Sequence, residues 1–223
     1  WSEEPFAAEL AAATGYPVLA ANDAHLGANA ERLFGAGKGA ADLVYLNGGA
    51  SGIGAGVIVG GAPLTGISGY AGELGHTLVN SSGVRCHCGA IGCLETEVSQ
   101  RALLRVLGLE SADPDELSRA LRVAVEAGEA GVTAEVDRQL GFLATALRNA
   151  TNVFDPERIV LGGFLGALHE LAPERLPELV AAQALAASAE TLTITRAALG
   201  SDILLIGAAE LAFTPLLASP SAP

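Results

Sequence analysis

The sequence predicts an α/β fold with a mixed sheet flanked by helices. Three observations carry this: short apolar runs of buried-strand type, Ala- and Leu-rich helical segments alternating with them, and Asn, Asp, Pro or Gly at the junctions. With 223 residues, 50% hydrophobic and 17% charged, the chain is long enough to bury a core without covalent staples. It carries 12 basic and 25 acidic side chains, a net charge of -13 and a sequence pI near 4.6. Such a field repels nucleic-acid phosphate and anionic membrane, so neither is expected as a direct partner.

The elements follow in order. Glu9 to Ala13 is helix-prone, and Gly15 and Pro17 end it; Val18 to Ala21 then reads as a short buried strand. Asn22-Asp23 has the form of a helix N-cap ahead of Ala24 to Phe34. Leu43 to Leu46 and Val57 to Val59 read as strands, and Gly60-Gly61 as a hairpin turn. Helices follow over Thr96 to Leu107, from Asp113-Pro114, and over Val132 to Val153, which Pro156 ends. A strand at Arg158 to Leu161, an Ala/Leu helix, a strand at Thr191 to Thr195 and a helix from Ile203 to about Leu217 complete the series. Residues 1–217 read as one unit, without repeats or a long linker, and 218–223 as a frayed tail.

No charged residue occurs between Asp42 and Glu73, which on count alone would suit a membrane span. Gly48, Gly49, Gly52, Gly54, Gly56, Gly60, Gly61, Gly66 and Pro63 break the stretch, so it reads as buried strands and tight loops. The opening Trp1-Ser-Glu-Glu-Pro-Phe has neither an initiator Met nor a basic and apolar leader, and reads as the interior of a longer chain.

All three cysteines fall within Cys86 to Cys93, an odd number that argues for thiolate ligands in a reducing cytoplasm rather than a disulfide scaffold. His76, Cys86, Cys88 and Cys93 give His-x9-Cys-x-Cys-x4-Cys, a donor set suited to structural, four-coordinate zinc. The competing readings are three buried free thiols, or His87 as fourth ligand. His87 would have to fold back between two ligating cysteines, which favours His76.

Glu73 lies three residues before His76 and Glu95 two after Cys93, so a metal there would draw two carboxylates together. Carboxylates and an Asn amide are good partners for sugar hydroxyls, and Asp23 among them could take a hydroxyl proton as general base. Taken singly, Asn22-Asp23 is only a cap and each Glu only a solvated acid. The glycine loop Gly48 to Gly56 exposes backbone N–H groups that could cradle phosphate, a weak signal by itself, and Gly162-Gly163 is weaker.

In this order, Asn22-Asp23-Ala24, Gly52-Ile53-Gly54-Ala55-Gly56, Gly72-Glu73-Leu74-Gly75-His76 and Cys86-x-Cys88-Gly89-x-x-Gly92-Cys93-Leu94-Glu95 resemble the ROK family of repressors and sugar kinases, over nearly the whole chain. The resemblance implies an actin-like, ribonuclease H-type ATPase fold. It implies sugar contacts at Asn22, Asp23, Glu73, His76 and Glu95, with Asp23 the base in a kinase, and zinc on His76, Cys86, Cys88 and Cys93. It also implies a phosphate loop at Ser51, Gly52 and Gly54, a nucleotide-side turn at Gly162 and Gly163, and a closing helix at Ile206-Gly207-Ala208-Ala209.

Two departures from the family pattern shape the functional expectation. Ala50-Ser51-Gly52 stands where ROK kinases carry Gly-Thr-Gly, and neither the Asp-x-Gly-Gly-Thr phosphate loop nor a helix-turn-helix occurs. The chain is therefore expected to be the large, C-terminal lobe of a sugar-binding domain from a ROK repressor, cytoplasmic and homodimeric, touching DNA only through a region outside it. The alternatives are the large lobe of a ROK hexose kinase, which alone would need ATP and Mg, and a zinc interaction module. No phosphoryl transfer is expected from this chain, and its sugar stays open.

Overall fold

In the computed structural model, residues 5–218 are described. Helix α1 spans Phe6–Thr14 and α2 Asp23–Phe34; strands β1 (Leu43–Gly49), β2 (Gly52–Val59) and β3 (Ala62–Pro63) follow. A 3-10 turn at Leu74–His76 precedes α3 (Leu94–Glu97), α4 (Gln100–Leu107), α5 (Pro114–Glu126) and the long α6 (Ala130–Phe154). Then come β4 (Arg158–Gly162), α7 (Gly163–Leu171), α8 (Arg175–Ala181), α9 (Ala186–Thr191), β5 (Thr193–Arg196) and α10 (Ile203–Ala218). The strands form one mixed sheet in the order β3-β2-β1-β4-β5: β2 runs antiparallel to β1 and β3, whereas β4 is parallel to β1 and β5.

Strand alternation fills both faces of this sheet. Val44, Leu46, Ile53, Ala55, Val57 and Ile159 join the main core with Leu140, Leu143 and Leu147 of α6 and Phe164 and Leu165 of α7. Leu43, Tyr45, Ile58 and Val160 face the other way, onto Ala28 of α2 and the edge of Ile203. Both the α/β class and the mixed sheet predicted from sequence are present.

Three local readings need correction. Val18 to Ala21 is no strand: it runs between α1 and α2, outside the sheet and largely exposed. An apolar run becomes a strand only where a neighbour can accept its ladder, and none lies beside it among the described residues. The glycine loop is instead mostly strand. Gly49 pairs with Gly52 and Gly48 with Ile53, so β1 and β2 form a hairpin closed by Ala50 and Ser51 alone. The predicted helix over Thr96 to Leu107 is broken. The fully buried Gln139 accepts from Ser99 N at 3.1 Å and donates to Ser99 O at 3.1 Å, holding that backbone extended so that Ser99 caps a new helix.

The expected turn at Gly60-Gly61 does join β2 to β3. Ala218 closes α10; the rest of the expected frayed tail, 219–223, lies outside the described residues. Within 200–217 the last helix is long and apolar enough, by length and composition, to cross a membrane. It packs against α2 while leaving Leu205, Leu216 and Leu217 exposed.

Candidate functional site

The glycines of β2 make the floor of the site. Residues 52, 54 and 56 face the same side of the strand. A Cβ on each would meet, in turn, Glu95 Oε2 at 2.5 Å, the Ala24 Cβ at 3.0 Å and the Ala24 carbonyl oxygen at 2.6 Å. The bare strand thus lets α2 lie directly on the sheet and Glu95 fold over its start.

The result is an open cleft of about 250 Å³, lined by Asp23, Asn47, Ser51, His76, His87 and Glu95 above Gly52 and Gly54. Asp23 sits at the first residue of α2, which the Asn22 side chain caps by accepting from Ala24 N at 2.8 Å and His25 N at 3.4 Å. Of the five residues expected to meet a sugar, Asp23, His76 and Glu95 line the cleft. Asn22 is engaged in the cap and Glu73 is exposed; neither is part of the lining. Asn47, which ends the apolar part of β1, was not singled out from sequence; its signal was a polar residue following Leu43 to Leu46.

Beside the cleft, His76, Cys86, Cys88 and Cys93 each offer a ligand atom within 4.8 Å of the others. Cys88 and Cys93 sulfurs stand 3.6 Å apart, and Cys86 Sγ lies 3.6 Å from His76 Nδ1. A tetrahedral ion with bonds of about 2.3 Å to sulfur needs ligand edges of about 3.8 Å, so these four residues fit a metal ion. His87 is not in that group. Its exposed ring meets the His76 ring edge-on, centroids 5.2 Å apart, and its Nδ1 reaches Glu95 Oε1 at 3.0 Å.

Glu95 joins the two halves of the site: its Oε1 accepts from Cys86 Sγ at 3.1 Å and lies 3.6 Å from His76 Nδ1. Burial pushes the Cys86 thiol up to about 12 and raises Cys93, while the Ala90 backbone N–H lowers Cys88. Two of the three thiols therefore keep their protons until a cation compensates the charge.

Glu97 anchors the loop. Buried, it accepts from Val84 N at 3.2 Å through Oε1 and from Asn80 Nδ2 at 3.1 Å through Oε2, and Arg138 of α6 lies 3.6 Å from that same Oε2. The same guanidinium donates to the Glu97 carbonyl at 2.9 Å, so the cysteine loop is tied to the longest helix of the core.

A second cavity, about 550 Å³, opens where β1 and β4 end, beside Gly162 and Gly163. Asp113, Asp115, Asn47, Tyr45 and Ser201 supply polar lining, and among the described residues Arg196 is the one basic side chain there. Arg196 pairs with Asp115 of α5 and, at 2.6 Å, with Glu170 of α7. Burial raises the Tyr45 phenol further, helped by Glu31 and Asp23, so it remains a donor.

The ROK family profile matches residues 1–214. The chain belongs to the ROK family. A xylose repressor of Caldicellulosiruptor bescii is 31% identical across 99% of this chain, and a glucokinase of Halalkalibacterium halodurans 31% identical across 93%. The aligned region makes up 58% of that repressor and 67% of that kinase, so this ROK chain spans little more than half of the first. The crystal structure of a Streptomyces griseus ROK glucokinase in complex with glucose and AMPPNP superposes with a TM-score of 0.77 at 27% identity, over 95% of this chain and 73% of that one. The fold is the actin-like α/β architecture of the family.

Proposed function

We propose that this chain is the sugar-binding large lobe of a ROK-family transcriptional repressor, with structural zinc on His76, Cys86, Cys88 and Cys93. Asp23, Glu95 and His76 converge on one polar cleft of sugar size, where carboxylates accept from ligand hydroxyls. Zinc held through one His76 nitrogen leaves the other for the ligand, and the bond between Cys86 and Glu95 ties the metal loop to the carboxylate. Asn22 positions Asp23 by capping α2, and Glu73, exposed and outside the lining, would be a contact only for a ligand that reaches past the cleft.

The observation that favours a repressor over a kinase is the second cavity. It lies at the expected nucleotide-side turn, Gly162-Gly163, yet Asp113 and Asp115 face its mouth, and Arg196 is already neutralised by Asp115 and Glu170. Among the described lining residues, two carboxylates and no unpaired basic side chain would face a polyphosphate. Ser51, Gly52 and Gly54, the expected phosphate loop, belong to a hairpin with a two-residue turn, and Ala50-Ser51-Gly52 there replaces the Gly-Thr-Gly of ROK kinases. The rest of a longer ROK protein would cover the apolar surfaces of α1 and α10, and a DNA-binding region there would make the DNA contacts. The assembly is a cytoplasmic homodimer.

One observation favours the kinase reading: Asp23 stands in the cleft, where a base would take the proton of an attacking hydroxyl. A coupled ADP-release assay with Mg-ATP and glucose, mannose or N-acetylglucosamine tests the kinase reading, and its positive outcome is the one that decides, because the large lobe of a kinase taken alone would also give the buffer rate. The repressor reading expects rates equal to the buffer control. Sugar-dependent ADP release that Asp23→Ala abolishes would establish the kinase.

A further inference from the structure

The cleft does not end at Glu95. A neighbouring cavity of about 580 Å³ shares Gly49, Ser51, Gly52 and Glu95 with it and continues between the β1–β2 hairpin and α4. Its lining differs in charge: Arg101, Arg105 and Arg138 all contribute. In a chain with 12 basic against 25 acidic residues, three basic side chains on one cavity are a marked local reversal.

The three arginines are not equivalent. Arg138 is committed to Glu97 and Glu135. Arg101 and Arg105, one helical turn apart and so on one face of α4, make no hydrogen bond or ion pair with any described residue. Exposed arginines are commonly just solvated; these two line an extension of a site whose remaining groups suit hydroxyls. Of the acids nearby, Glu135 is hydrogen-bonded to Arg138 and attracts Arg105 only through space. Glu97 is paired, Glu95 faces both cavities, and Glu110 lies on the outer flank of Arg101 and Arg105.

We propose that the ligand of the Asp23–Glu95 cleft is an anionic sugar, a phosphate ester or a sugar acid, whose charged oxygens are held by Arg101 and Arg105. This rests on the reading of the cleft as a sugar site. A neutral sugar could accept single hydrogen bonds from these guanidiniums but would leave their charge uncompensated, whereas phosphate and carboxylate match their planar donors in pairs. The ligand's hydroxyls face Asp23, His76 and Glu95, and its anionic end passes the hairpin tip at Ser51 toward α4.

Calorimetric titration of the metal-loaded protein with glucose, mannose and N-acetylglucosamine, their 6-phosphates, glucuronate and inorganic phosphate tests this. At least one anionic sugar is expected to bind about tenfold or more tighter than its neutral parent. Added NaCl should erode that advantage, and the Arg101→Gln/Arg105→Gln double variant, altered only at exposed positions, should remove it while leaving neutral-sugar affinity unchanged. Glucuronate against the 6-phosphates tells a carboxylate from a phosphate ester. Neutral parents binding as tightly as every anionic form, or a double variant that keeps the advantage, would overturn the inference and leave the sugar site standing. Binding of inorganic phosphate that survives the double variant would also overturn it. If no sugar of either kind binds, the sugar reading itself falls and this inference with it.

Discussion

Cys86 Sγ donates to Glu95 Oε1 across 3.1 Å, so a prospective metal ligand and a cleft carboxylate share a hydrogen bond. A metal ion bound by the Cys86 thiolate would remove that donor, so loading the site would be coupled to the position of Glu95.

The first prediction follows from the thiols. Burial holds Cys86 at about 12 and raises Cys93, so both are protonated near neutrality without metal. Zinc uptake should release on the order of two protons, and affinity should rise with pH. Uptake heats measured in buffers of different ionisation enthalpy read the release directly; identical heats in every buffer would refute it.

Glu97 offers a test that leaves every metal ligand in place. Glu97→Ala removes the acceptor of the part-buried Val84 N–H and Asn80 amide, at about 0.5–1.5 kcal/mol for each hydrogen bond lost. We expect a lower Tm and faster zinc loss to a chelator, with Glu97→Gln recovering much of both. Unchanged chelation kinetics in Glu97→Ala would remove the loop-anchoring role.

Glu31 is the second buried acid. Its carboxylate accepts from Ala36 N at 2.6 Å and from Ala198 N and Leu199 N at 2.9 Å each, joining the end of α2 to the segment before α10. Glu31→Ala should cost on the order of 3 kcal/mol or more, read as a shift in the urea midpoint. A loss below about 1 kcal/mol would mean that water replaces the carboxylate.

These acids show what was legible in the sequence. The His76, Cys86, Cys88 and Cys93 spacing was readable because every cysteine lies within eight residues, and Asn22 was readable because capping is local. Glu31 and Glu97 carried no signal: a glutamate in a helical stretch looks solvated until distant backbone donors close around it. Gln139 was silent for the same reason, and its hold on Ser99 split a predicted helix. The glycine run looked like a loop because alternation of side chains vanishes at Gly52, Gly54 and Gly56, where the fold needs the strand bare.

A pH prediction concerns the Arg196 strap. The hydrogen bond and charge of Arg196 hold Asp115 below the ordinary carboxylate range, and for Glu170 the upward push of burial is outweighed by the hydrogen bonds from Arg196 and Ser118, so it too lies below that range. A depressed carboxylate contributes stability that is present above its unfolded value and lost as pH falls through the folded one. The α5 to β5 contact should therefore loosen below about pH 4.5, and Arg196→Gln should flatten that part of the profile. Thermal melts of both proteins across the acid range check it; parallel profiles would contradict it.

If a metal-organised loop shapes the sugar cleft, stripping the metal must weaken sugar binding. The most direct test is calorimetric titration of zinc-loaded and chelator-stripped protein with the neutral and 6-phosphorylated hexoses, with circular dichroism to verify that the stripped chain stays folded. The prediction is saturable binding of at least one of these sugars by the loaded protein, weakened about tenfold or more on stripping. Binding by neither form, or equal binding by both, would contradict it.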